Sequence, residues 1–181
     1  MSKDDEGDSG NNSFTNKPSG KIHEFYLTGS VNEASEYVEW FNTIRHASAD
    51  DTIQIYINSY GGDLFTAIEF VNVIQKTKAK VKMIVEGACL SAATVIFLQG
   101  HEFEIHPFST FMVHTYTSGT FGKGNEMYDQ ISYEKNWSEN IIRSVYDKFL
   151  TQEELNMVIE GKDLWLTPKE VTERMKNRND T

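Results

Sequence analysis

Three positions in this chain combine residue types and spacing suited to acyl-transfer chemistry. Gly61-Gly62 closes a strand-like run, Ser91 opens a helical one 29 residues later, and His114 ends another strand 23 residues further on. A serine hydroxyl is a poor nucleophile at its free pKa. It needs a base within hydrogen-bond reach and backbone N–H donors aimed at the oxyanion that develops on the attacked carbonyl. Ser91 stands where Glu86-Gly87-Ala88-Cys89-Leu90 leaves a strand and Ala92-Ala93-Thr94 begins a helix. The Ala92 amide therefore belongs to a first turn, whose N–H groups lack intrahelical acceptors and face the positive end of the helix dipole. Gly62 is the candidate for the second donor, since two consecutive glycines allow close backbone approach to a ligand. Alone, a serine at a helix start is an ordinary N-cap; its pairing with Gly-Gly favours the nucleophile.

His114 is the candidate base, and a base of this kind needs an acid to orient its other ring nitrogen. Asp163, just ahead of Leu164-Trp165-Leu166, is the first candidate and Glu160 the reserve. Cys89 is a rival nucleophile, but a lone cysteine at an apolar strand end is more often a small core residue. His101, Glu102, Glu104 and His106 alternate in a way that can ligate a metal from one strand face, yet no further ligands accompany them, so no metal or cofactor is assigned.

The elements that position these residues can be read from periodicity. A short strand is expected around 24–27, then a helix opened by Asn32 or Ser35 with Tyr37, Val38, Trp40, Phe41 and Ile44 on one face. Residues 52–57 read as a β-branched strand running into a sharp turn at 58–62, after which Asp63 caps a helix bearing Ala67, Ile68, Val71 and Ile74. Residues 81–85 form the next strand, with Gly87 as its breaker, and 91–99 the next helix. Strand and helix alternating over short links predict right-handed crossovers and a largely parallel sheet, an α/β fold.

Residues 111–114 are another strand, followed by the glycine-punctuated stretch 118–124. From 125 to 150 there is no Gly or Pro. Met127, Ile131, Trp137, Ile141, Val145 and Phe149 fall on one face of a long amphipathic helix, with Glu134 the single polar break in the stripe. Such a helix spans roughly 38 Å, more than a small α/β core needs for cover, so part of it should project toward a partner. Thr167-Pro168-Lys169-Glu170 is a capping box with proline at the first helical position.

The 181 residues fit one domain over 21–181 behind a polar tail, 1–20, too poor in apolar groups to order itself. With 17 basic and 27 acidic residues the net charge is −10, which argues against nucleic acid or an anionic membrane as partner. One cysteine excludes an internal disulfide. There is no export signal at the start and no apolar run of membrane-spanning length, so a cytoplasmic protein is expected.

With these residues placed, the chain resembles the proteolytic subunit of Clp proteases, the ClpP-type serine peptidases of the crotonase-like superfamily. The similarity runs over about 25–172. It is most specific in Ile57-Asn58-Ser59-Tyr60-Gly61-Gly62, in Gly87-Ala88-Cys89-Leu90-Ser91-Ala92-Ala93 and in Met112-Val113-His114. The resemblance implies repeated β-β-α units with a long handle helix. It implies Ser91 as nucleophile, His114 as general base, and the amides of Gly62 and Ala92 as oxyanion hole. It also implies an ATP-dependent endopeptidase of heptameric rings stacked face to face as a tetradecamer, joined by the handle of 118–124 and 125–150. Gly119, Thr120, Phe121 and Gly122 would then offer an edge to which a substrate peptide adds as a strand.

The departures from that family are specific. Tyr60 stands where proline is usual and Ala93 where glycine is usual, and the stretch from Ser91 to His114 is two residues short. An ungapped match puts Ile159 at the family's aspartate, so Asp163 takes that role only with a local shift. The apolar axial loop is replaced by the polar tail. At the pocket where an AAA+ unfoldase docks, Tyr56 is kept but Glu104 and His106 fill apolar positions. These features suggest a divergent copy, of the kind a bacteriophage carries.

Three functions compete on this reading. The first is a self-compartmentalised serine endopeptidase acting on peptides or unfolded proteins, alone or with a Clp unfoldase. The second is a non-catalytic or weakly active ring subunit that modulates a host Clp protease. The third is a crotonase-like acyl-CoA enzyme, which the Ser-His pair and the lack of an acid at the helix start disfavour.

Overall fold

Six strands and six α-helices make up residues 20–179, the part of the chain described by the computed structural model. The tail expected over 1–20 lies outside the described residues but for Gly20. Strand β1 (Ile22–Val31) leads through a 3-10 turn, Ala34–Tyr37, into α1 (Val38–His46); β2 (Thr52–Gly62) is followed by α2 (Leu64–Ile74), and β3 (Lys80–Leu90) by α3 (Ala92–Phe97). Two short strands follow, β4 (Glu102–Ile105) and β5 (Thr110–Val113), then α4 (Gly124–Tyr146), α5 (Gln152–Ile159), β6 (Leu164–Leu166) and α6 (Pro168–Asn179).

The sheet runs in the order β1-β2-β3-β5-β6, with β4 also pairing β3. All pairings are parallel except β5 with β6, as the alternating pattern implied. β3 serves two neighbours in succession: residues 82–85 pair with β4 and 88–90 with β5. Its middle is irregular. Ile57 faces Val85 but Ser59 faces Cys89, so β3 carries two extra residues between these pairs.

That irregularity corrects the reading of Gly87 as a strand breaker. The strand passes through it, because Asn58 Oδ1 accepts the Ala88 N–H at 3.0 Å and holds the bulge closed. A Cβ at Gly87 would lie 2.5 Å from the same oxygen, so any larger residue would have to displace the Asn58 side chain that closes the bulge. The turn expected at 58–62 is likewise still strand, with a register shift against β1 between Gly29 and Ser30.

The 3-10 turn, α1 and α2 cover one face of the sheet through Tyr37, Phe41, Ile44, Phe70 and Ile74, all buried. Phe41 and Phe70 meet edge-on at 4.8 Å between centroids. Val38, expected on this face, is 52% exposed, because α1 begins only there and the preceding turn is 3-10. Helix entry is not capped by Asn32 or Ser35; Glu33 occupies the cap position without a side-chain bond. Asp63 does cap α2, accepting the Thr66 N–H at 2.7 Å. At α6 the Thr167–Glu170 box is complete, with bonds of 2.7 and 3.3 Å.

α4 is the long helix expected, but its buried face is Ser138, Ile142 and Tyr146 rather than the Ile141 stripe. Trp137, Ile141 and Val145 are half-buried beside it, and Phe149 lies past its end. Ile131 is 52% exposed, and Tyr128 and Tyr133 more so, which leaves the first half of the helix standing off the core. Among the described residues no helix is long and apolar enough to cross a membrane.

Candidate active site

The elbow between β3 and α3 puts Ser91 in a backbone conformation that side chains rarely adopt, φ 54° and ψ −125°. Among the described residues no other non-glycine has positive φ. Such strain persists only when the surroundings over-determine it, and they do. Ser91 N–H donates to Met112 O at 2.8 Å, which ties the elbow to β5. The Ser91 carbonyl accepts from the Thr94 N–H at 2.8 Å and from the Thr94 hydroxyl at 2.6 Å. That hydroxyl also meets the Tyr146 hydroxyl at 2.6 Å, so α4 holds the elbow from behind. Burial pushes the Tyr146 phenol up, which keeps it neutral for that bond.

Two residues past Met112, just beyond β5, is His114. Its Nε2 lies 2.6 Å from Ser91 Oγ. A hydroxyl at that distance can hand its proton to a neutral imidazole as it attacks a carbonyl. His114 Nδ1 faces Asp163 Oδ1 at 3.9 Å, with the Asp163 side chain 56% exposed. This proximity follows from the antiparallel register of β5 and β6. Val113 pairs with Leu164, so the next pair outward is His114 with Asp163. Glu160 instead ends α5 as its C-cap.

The Gly-Gly segment approaches as its composition suggested. A Cβ on Gly61, whose φ is +86°, would sit 2.7 Å from Ser91 Cβ and 2.9 Å from Ala92 N. Asp63 N–H donates to Val31 O on β1 at 2.8 Å. Gly62 lines the same groove as Ser91. The Ala92 amide opens α3, where no intrahelical acceptor exists. Gly62 and Ala92, which carry the candidate donors, both line the space in front of the serine.

That space is a groove of about 440 Å³ lined by Ser91, His114, Gly62 and Ala92. Its apolar walls include Phe65, Trp137 and Ile141, with the Phe65 and Trp137 rings stacked at 5.1 Å. Residues 115–118 line it too, whereas Gly119, Thr120, Phe121 and Gly122, expected at the substrate edge, do not. Phe121 is fully exposed, and residues 114–123 form no strand. Sequence reasoning missed Thr94, Tyr146 and Phe65, and noticed Glu134 only as a break in a stripe; Glu134 lines the groove. The only early signal for it was polarity at an apolar position.

Cys89 is fully buried in β3 and burial pushes its thiol far up, which removes it as a rival nucleophile. The His/Glu run on β4 is engaged elsewhere. Glu102 pairs with Lys80 at 2.8 Å, Glu104 with Lys82 and, at 3.4 Å, His106, and His101 Nδ1 accepts the Val81 N–H. Among the described residues no group of three potential metal ligands converges.

Comparison with known proteins agrees with this architecture. The family model for Clp protease matches residues 23–174, which include every residue of the candidate site. A curated relative, the ATP-dependent Clp protease proteolytic subunit 2 of Treponema denticola, is 26% identical over 167 residues, covering 87% of this chain and 84% of that protein. A match across most of the chain, and over both the strained elbow and the segment that carries His114, means that this protein belongs to the Clp protease family.

Proposed function

We propose that the protein is a serine endopeptidase, the proteolytic subunit of a self-compartmentalised Clp-type protease. The observation that carries this is the 2.6 Å contact between Ser91 Oγ and His114 Nε2 at a strained elbow facing an open groove. Ser91 Oγ attacks the carbonyl carbon of a bound peptide while its proton passes to His114 Nε2. The carbonyl oxygen, now an oxyanion, is met by the Gly62 and Ala92 amides. His114 then protonates the leaving amine, and a water deprotonated by the same imidazole frees the acyl group from Ser91. Asp163 stabilises the imidazolium from the solvent side.

The exposed first half of α4 supports assembly. Tyr128, Ile131 and Tyr133 present apolar surface that a second copy can cover. Rings of seven stacked in pairs, in the cytoplasm, fit this reading. ATP dependence would come from a partner unfoldase. The outer sheet face bears Tyr26 stacked on Tyr56 at 4.9 Å, but beside it runs the Lys82–Glu104–His106 ion cluster, which suits a polar partner loop.

The test is covalent. A fluorophosphonate should label the purified protein at Ser91, as located by peptide mass mapping, and Ser91→Ala should lose both labelling and peptide cleavage. Labelling that persists in Ser91→Ala, or none in the assembled wild type, overturns the assignment.

A further inference from the structure

Glu134 puts an ionised carboxylate into a groove that otherwise calls for apolar ligands. It lies on α4 three and four residues before Trp137 and Ser138, so the three share a face and all line the cavity. Its two oxygens accept from the Ser118 hydroxyl and the Gln130 amide, each at 2.7 Å. Both donors are neutral. They hold the carboxyl below the usual carboxylate range, Gln130 first and Ser118 second, without cancelling its charge. The other carboxylate in the groove, Asp63, is committed to capping α2. No lysine or arginine lines the cavity.

We propose that this groove selects peptides bearing an arginine or lysine next to the cleaved bond, with Glu134 receiving the cationic head. The inference rests on the peptidase reading above and names the substrate class of the same site. An arginine or lysine is a long apolar stem with a charge at its end. The stem can lie along the Trp137 ring, itself braced by Phe65, which also favours a cation over its face. The head then reaches Glu134 one turn earlier on the helix, where a charge-assisted bond replaces the water it sheds. A leucine fills the walls but leaves the carboxylate without a cation, and an acidic side chain meets repulsion.

The experiment uses the full chain and fluorogenic peptides that differ only in the residue before the cleaved bond: arginine, lysine, norleucine or glutamate. Arginine and lysine peptides should exceed norleucine in kcat/KM by about tenfold or more. Glu134→Gln keeps a side-chain oxygen for Ser118 but removes the charge, and should bring that ratio close to one. Glu134→Lys should turn the preference toward glutamate. A wild-type preference for norleucine that Glu134→Gln leaves unaltered overturns the proposal, even where fluorophosphonate labels Ser91. Binding separates the two readings. On Ser91→Ala protein, fluorescence anisotropy with the arginine and norleucine peptides should show tighter arginine binding that Glu134→Gln weakens. That result in a protein whose Ser91 never labels would sink the peptidase reading alone, whereas equal binding of the two peptides would sink this one.

Discussion

The two sides of His114 are built differently. On one side stands Ser91, held by β3, β5 and α3, where Cys89, Ala92, Ala93, Phe111 and Val113 are all buried. On the other stands Asp163, half in solvent ahead of a three-residue strand at the margin of the sheet. The first contact is 2.6 Å and the second 3.9 Å. An inner layer of sheet and buried helix thus sets the proposed nucleophile and base. The outer layer of α4, α5, β6 and α6 supplies the proposed acid, the groove wall and the exposed helix. Precision comes from burial, because a packed core has few alternative arrangements. The proposed selectivity and assembly lie where side chains can change without unfolding the molecule.

Changes confined to the outer layer test that division. The largest effect is expected at the acid. Asp163→Asn should lower turnover by about 10²-fold or more, less than for a buried triad acid, while Glu160→Gln should do little. Steady-state cleavage and Ser91 labelling rates measure this. Equal, small effects from both would mean that the inner pair works without an outer acid.

Next comes the helix. Ile131→Asp should abolish the proposed ring, read by sedimentation velocity, while costing the fold within about 0.5 kcal/mol because the side chain is exposed. Trp137 and Ile141, the positions suggested by the sequence stripe, are unsuitable probes because they line the groove. A wild-type protein sedimenting as a monomer would remove assembly from the outer layer's functions.

The smallest effect concerns how the outer layer is held. Glu154 of α5 receives both arms of the Arg174 guanidinium from α6, at 2.8 and 2.7 Å, which holds its carboxyl down at about 2. The folded value lies below the unfolded one of 4.5, so the pair's contribution is full above about 4.5 and lost as pH falls from there toward 2. Glu154→Gln should lower stability by about 1–2 kcal/mol at pH 7, allowing for solvent screening, and by much less at pH 2, where the carboxyl is largely protonated in the unfolded chain and about half protonated in the folded one. Thermal melts at the two pH values measure this. A loss that is the same at both would show that the side chain packs rather than pairs.

Patterns internal to one segment were legible without coordinates. The Asp63 cap, the Thr167–Glu170 box and the parallel alternation all depend on neighbours within a few residues. Gly87 misled for the same reason. A glycine in a strand pattern signals either a break or a bulge, and the choice rests on Asn58, some 30 residues away. The buried face of α4 was misread by one position, because the apolar stripe includes residues that face the groove and residues that face outward.

The sequence by itself determined the α/β class, the strand-to-helix elbow at Ser91 and the candidates for each chemical part, since side-chain type and local periodicity are encoded along the chain. Only the tertiary structure decided among them. Asp163 rather than Glu160 or Ile159 stands near His114 because β5 and β6 pair antiparallel with Val113 against Leu164. Glu134 lines the groove because α4 packs Ser138, Ile142 and Tyr146 inward. Both outcomes are matters of register and rotation between distant segments, set by how their apolar faces bury together, and no single segment carries that information.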